Sequence, residues 1–324
     1  MTTAGTALHT WCAGQVHEAG GHGQPRCDYR YFVIKVFHPV IYNEGVDILS
    51  FTLLVGLGAF VAGGVGALTG LGGGVVIVPL LTLGFGVDIR YAIGASLVSV
   101  IATSSGAAAA YVRDGFINIR IGMFLEIATT VGAIAGGELA AWLSTNVVSV
   151  IFGLALLASA IFSAASRDDG SEGPGSPVAQ WLRFGGHMPV SGGQRAYAVQ
   201  GVPGGFALMF GAGVLSSLLG IGSGAVKVLA LDRVMGLPFK VSTTTSNFMI
   251  GVTAAAGAGV YLNRGYIDPG LAMPVMLGVL AGSVLGARLL VRSPPTLLKR
   301  GFTVVILVLA AQMIYSGFSG GAHV

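Results

Sequence analysis

One lysine, several hydroxyl side chains and an asparagine stand among apolar residues beside two runs of glycine, and these are the groups of this chain whose types and spacing could do chemistry. The runs are Gly70-Leu71-Gly72-Gly73-Gly74 and Gly220-Ile221-Gly222-Ser223-Gly224, with Lys227 three residues past the second. Each run precedes a short apolar stretch. A helix starting there has free N–H groups and the positive end of its dipole in its first turn. Two such starts brought together make a backbone site for an anion, and glycine lets backbone and ligand approach closely. Polar stripes follow both runs: Ser96, Ser99, Thr103, Ser104 and Ser105 after the first, and Ser242-Thr243-Thr244-Thr245-Ser246-Asn247 after the second. Hydroxyls and an amide can replace the hydration shell of an oxyanion. A lysine inside an apolar segment supplies a countercharge. The candidate binding set is therefore Gly72, Gly73, Gly74, Ser96, Gly222, Ser223, Gly224, Lys227, Ser246 and Asn247.

Each of these residues has a plainer use. Glycines let membrane helices pack closely, and Ser or Thr bonds its own helix or a neighbour. Lys227 could snorkel, since Asp232 and Arg233 follow closely. Glu126 and Glu138 could carry a coupling proton or simply face an interface, and Arg288 reads as an end anchor. His9, Cys12, His17, His22 and Cys27 have metal-binding side chains, but their spacing matches no regular zinc pattern. They read as a polar tail, and no cofactor or metal is expected. The apolar segments contain no His to pair with a nucleophile, so the expectation is that this is not an enzyme.

The elements that must position these residues are apolar and duplicated. The 324 residues are 53% hydrophobic and only 9% charged, with a mean hydropathy of +0.81, against about 25% charged in soluble domains. That composition reads as an integral membrane protein. The runs are too long and too rich in Gly and Ala for barrel strands. A net charge of +4 would suggest nucleic acid in a soluble chain, but here the basic residues cluster between apolar runs, as in cytoplasmic loops. The two cysteines both precede the first apolar run, so no disulfide framework is expected, and residues 1–28 lack the features of a signal peptide.

The glycine runs stand at a fixed offset of 150 residues (70 to 220), which also pairs Ser96 with Ser246, Tyr111 with Tyr261, Gly115-Phe116-Ile117 with Gly265-Tyr266-Ile267, and Gly132 and Gly136 with Gly282 and Gly286. A duplicated, glycine-broken apolar unit is a common plan of secondary transporters. The expected fold is all-α and polytopic, with about ten helical segments in two inverted five-segment repeats. The segments lie near 48–69, 73–87, 91–112, 120–142 and 147–166, then 197–219, 223–237, 241–262, 269–291 and 299–317. The domains are a polar and interfacial stretch at 1–46, repeat one at 47–166, a Gly/Ser/Pro-rich linker at 167–195 and repeat two at 196–318. An odd number of spans per repeat inverts the second copy. Loop charge agrees, since Ser144-Thr145-Asn146 is uncharged while the loop after the ninth segment carries Arg292, Lys299 and Arg300. Alternating sides groups Arg113, Arg120, Arg183, Arg233 and Lys240 on the cytoplasmic face and Arg90 and Arg264 outside, with both termini outside.

Gly70-Leu71-Gly72-Gly73-Gly74-Val75-Val76-Ile77-Val78-Pro79, Gly94-Ala95-Ser96-Leu97, a Gly-x-Ile turn and Gly286-Ala287-Arg288-Leu289-Leu290 together resemble the TauE/SafE family of sulfite exporters over about residues 50–317. The resemblance implies a multi-pass bacterial inner-membrane transporter of sulfur-containing anions such as sulfite or organosulfonates. Ser223 and Lys227 depart from the glycine-rich pattern, and the N-terminal tail lies outside the likeness. The expected partners are a small anionic substrate, the lipid bilayer, a coupling proton or sodium ion and a second copy of the chain, with no nucleic acid. The rival readings are an anion channel with the same site chemistry and a continuous pore, and a membrane scaffold or enzyme without transport.

Overall fold

In a computed structural model, the described residues are 48–69, 74–113, 117–164, 175–190, 193–290 and 295–318. The N-terminal tail, with its His and Cys residues, lies outside them. The elements are α1 (Ile48–Thr69), α2 (Gly74–Pro79), α3 (Ile89–Arg113), α4 (Ile119–Trp142), α5 (Thr145–Ala164) and α6 (Pro177–Trp181), then the antiparallel hairpin β1 (Gly186–Val190) and β2 (Gly193–Tyr197). There follow α7 (Val202–Leu219), α8 (Gly224–Leu229), α9 (Phe239–Asn263), α10 (Pro269–Leu290) and α11 (Pro295–Phe318). The protein is mostly helical.

The helices present apolar side chains outward and hold polar ones inside. On α1, Leu53, Leu57 and Val61 repeat every four residues and are each more than half exposed, as are Met123, Ile127 and Val131 on α4. Ser96, Ser99, Thr129, Lys227, Ser242, Thr245 and Thr253 are completely buried. Water would penalise that arrangement and hydrocarbon favours it. Both α4 and α7 are long and apolar enough to cross a bilayer, and the 22 residues of α1 cover about 33 Å at a helical rise of 1.5 Å per residue.

Small residues set how these helices meet. Gly132 of α4 sits against the Phe210 carbonyl of α7, too close for any Cβ, and Gly282 of α10 sits in the same way against the Phe60 carbonyl of α1. Gly213 meets Thr129, and Gly63 meets Val279. Each second contact is the first with 150 residues added to one partner and subtracted from the other. The two copies therefore exchange their helices by a two-fold rule, α1 packing on α10 as α7 packs on α4. Small-residue seams of this kind hold helices by close backbone approach where lipid removes the hydrophobic drive. Helices related by the duplication run in opposite directions where they touch: on α3 and α9, Leu97 lies by Gly257 and Ser104 by Gly251; on α11 and α5, Gly317 lies by Asn146 and Val150, and Ile314 by Gly153.

The two short helices share an unusual ending. Both α2 and α8 run directly into one π-helical turn, Leu80–Gly84 and Ala230–Val234, at the same 150-residue offset. Proline is not the common cause, since Pro79 ends α2 while Leu229 ends α8. Such π turns recur at functional sites. Part of the stretch read as a linker also folds. Ser176 caps α6 by accepting from the Ala179 N–H, and Ala179, Phe184 and Val199 are buried in one apolar cluster with Met235 and Leu237. This small apolar set, sparse among Gly and Ser, explains why composition alone marked the region as a spacer.

Candidate functional site

The second glycine break is the described start of the site. Helix α7 ends at Leu219, and Gly220 adopts φ +68° while its N–H donates to the Ser216 carbonyl at 2.9 Å. Gly222 and Ser223 are also left-handed, at φ +72° and +46°. Glycine tolerates this conformation and serine does so at a cost, so Ser223 holds a backbone posture few residues accept. Helix α8 then begins at Gly224. Of the first break, Gly72 and Gly73 lie outside the described residues, while Gly74 opens α2.

The two copies touch here. A Cβ placed on Gly74 would stand 2.6 Å from the Gly220 carbonyl oxygen and 2.7 Å from Ser96 Oγ. The Ser96 hydroxyl donates to that same carbonyl at 2.6 Å. Its counterpart, Ser246, donates to the Gly224 carbonyl across a longer 3.4 Å. The start of α2 therefore lies against the second break, with α3 and α9 each adding one serine. Asn247 is half-buried beside Ser246. In this conformation the meeting point is closed to solvent, since Ser96, Gly220, Gly222, Ser223, Gly224 and Ser246 are all buried.

Lys227 has no route to water. It is 0% exposed, and its ammonium donates to Thr253 Oγ1 at 2.5 Å. The Thr253 hydroxyl in turn donates to Glu126 Oε1 at 2.7 Å. The lysine belongs to the second copy and the glutamate to the first, so a relay of ammonium, hydroxyl and carboxylate crosses between them. Opposite charges stabilise each other strongly where water is absent, and either one alone would be costly. The positive charge beside the glycine break is thus present but held by a carboxylate one hydroxyl away.

Sequence reading set Lys227 and Glu126 in separate roles and missed Thr253. The signal was available: Thr253 is the register partner of Thr103, which the polar stripe includes. Ser216, Ser217 and Ser223 are further buried hydroxyls, each without a hydrogen-bond partner. A buried hydroxyl normally finds a partner, and these three, at and just before the second glycine break, do not have one. Other stripe hydroxyls are already occupied. Thr243 and Thr244 donate to carbonyls of their own helix, and Thr245 Oγ1 accepts from the Asn118 N–H at 3.1 Å.

Asn118 ties the opposite end together. Its Oδ1 caps α4 by accepting from the Ile121 N–H, and its Nδ2 donates to the Phe184 carbonyl and to the Tyr197 hydroxyl at 3.0 and 2.9 Å. Burial holds the Tyr197 phenol above its ordinary range, so it stays protonated at neutral pH. The hairpin is thereby fastened to the starts of α4 and α9. Glu138, at the far end of α4, forms an ion pair with Arg264.

Comparison with known proteins gives a consistent result. The family described as sulfite exporter TauE/SafE matches residues 55–313. The chain is 29% identical over 279 residues to the probable membrane transporter protein YunE of Bacillus subtilis (strain 168), covering 83% of this chain and 99% of that one. It is 27% identical over 251 residues to the probable membrane transporter protein YdhB of the same organism, covering 76% and 94%. A probable membrane transporter protein of Methanocaldococcus jannaschii is 25% identical, covering 85% of this chain and 99% of its own length. No solved structure matches.

Proposed function

Because the chain belongs to the sulfite exporter TauE/SafE family, we propose that it carries small sulfur-containing anions such as sulfite or organosulfonates across the bacterial inner membrane by alternating access. The observation that carries this reading is the buried Lys227, set one turn past a glycine break that the other copy touches. A charge held in the interior at that expense marks a ligand or ion path. The opposed directions of α3 and α9, and of α5 and α11, support a pair of inverted repeats with the site between them.

In this mechanism the substrate oxyanion takes the Lys227 ammonium in place of the Glu126 carboxylate. Ser96, Ser223 and Ser246 turn their hydroxyls to it, with Asn247 and the backbone N–H groups at Gly74 and at Gly222 to Gly224. Glu126, released from the relay, is then the group able to accept a coupling proton. Rocking of one repeat against the other opens the site to each side in turn. A sodium ion is the alternative coupling partner, and a second copy of the chain an expected neighbour in the bilayer.

Purified protein in liposomes tests this. Sulfite flux should saturate, respond to a pH gradient and fall at least about 100-fold in Lys227→Met, the scale of losing a charge-assisted contact in a dry site. Flux that never saturates would identify a channel. Wild-type protein that moves no anion under any gradient would overturn the transport reading.

A further inference from the structure

At the end of the molecule away from the hairpin, a cavity with room for about one water molecule is lined by Arg90, Ala141, Tyr261, Arg264 and Tyr266. Arg90 opens α3 and reaches across the copies. Its Nη1 donates to the Tyr266 hydroxyl and its Nη2 to the Leu143 carbonyl, both at 3.2 Å. The guanidinium carbon lies 5.6 Å from the centre of the Tyr266 ring. Two donors at this cavity have nothing to donate to. The Arg90 Nε–H is buried without an acceptor, and so is the hydroxyl of Tyr261, a residue only 2% exposed. Arg264 lines the same space with its charge taken by Glu138.

Buried donors without acceptors are costly and rare, and two of them at one cavity, beside the second guanidinium of Arg264, mark the place of a missing acceptor. Guanidinium groups match oxyanions by paired hydrogen bonds. The other carboxylates at this end stand at helix starts: Asp88 Oδ1 accepts from the Arg90 N–H and Asp268 Oδ1 from the Gly270 N–H, while Asp268 Oδ2 is buried without a donor. We propose that Arg90, Tyr261 and Arg264 form a second subsite for a small oxyanion, shut in this conformation by Glu138, whose carboxylate holds the guanidinium the oxyanion would take. The space left fits one water, so the Glu138–Arg264 pair must part before a sulfur oxyanion enters. In the duplicated register Asp114 stands opposite Arg264 and Arg288 opposite Glu138, so the two charge signs recur with their places exchanged. The choice of ligand class rests on the anion-transport reading, while the binding geometry stands on these residues alone.

The test uses the full chain with Cys12 and Cys27 changed to Ser and Ala141→Cys as a reporter at the cavity wall. Methanesulfonate, which does not attack maleimides, is the probe. Glu138→Gln should speed labelling of the reporter by N-ethylmaleimide, and methanesulfonate should slow it again; Tyr261→Phe and Arg90→Gln should abolish that protection. In liposomes Tyr261→Phe should keep its thermal stability, because its hydroxyl has no partner to lose, yet raise the sulfite KM about tenfold with kcat within about twofold. Labelling that methanesulfonate never slows, with unchanged KM in Tyr261→Phe and Arg90→Gln, would overturn the subsite. Wild-type protein that moves no anion overturns the transport reading instead, and the labelling result still decides this one.

Discussion

The two copies of the duplicated unit share a backbone plan and fill one buried slot with opposite chemistry. In the second copy the slot holds Lys227, bonded through Thr253 to Glu126. The register-equivalent residues are Ile77, Thr103 and Met276. Ile77 is as deeply buried as Lys227, and Thr103 donates only to Ser99 and Val100 carbonyls of its own helix. The helix seams, in contrast, repeat contact for contact, as Gly132 on Phe210 and Gly282 on Phe60 show. Close packing is inherited by both halves because backbone approach tolerates no side chain, whereas charge is placed once because a second buried ammonium would repel the first. The duplicated frame repeats the packing in both halves, and a single lysine puts the buried ammonium in one of them.

That contrast can be broken at several points. Ile77→Lys puts an ammonium into the slot that lacks a carboxylate, and thermal unfolding in detergent should show a loss of about 3–5 kcal/mol. Adding Met276→Glu should recover part of it, more than the two single changes sum to, which a double-mutant cycle reads directly. Next in size, Gly132→Leu and Gly282→Leu should each destabilise by at least about 1–3 kcal/mol, and by similar amounts, because both drive a side chain into a helix backbone. Gly211→Ala is the control, with nothing within 4 Å of an added Cβ. Smallest is the threonine pair: Thr253→Val should cost about 1–3 kcal/mol by leaving Lys227 and Glu126 without their bridge, and Thr103→Val less than about 0.5 kcal/mol. Equal effects from the two threonines would dissolve the comparison.

The helices were legible where composition changed sharply. The uncharged run from residue 48 predicts a segment to 69, and α1 spans Ile48–Thr69. The glycine run before Lys227 marks the break at Gly220 to Ser223 because glycine is the residue left-handed turns select. The relay was not legible, because Glu126 and Thr253 meet across 127 residues and only packing brings them together. The Glu138–Arg264 pair, 126 residues apart, escaped for the same reason. The hairpin escaped for a different one: Gly186–Val190 and Gly193–Tyr197 lack alternating apolar residues and owe their place to Asn118 and to the cluster around Phe184.

The most direct test is to locate the bound anion. Selenite replaces the sulfur of sulfite with an anomalous scatterer of the same shape, so crystals grown with it report one position in the fold. The account predicts a selenium peak within hydrogen-bonding reach of Lys227 Nζ, beside Gly220 and Ser96, with the Lys227–Thr253–Glu126 relay opened. Selenite that binds in solution yet leaves that position empty, with its peak only beside Arg90 and Arg264, would contradict it.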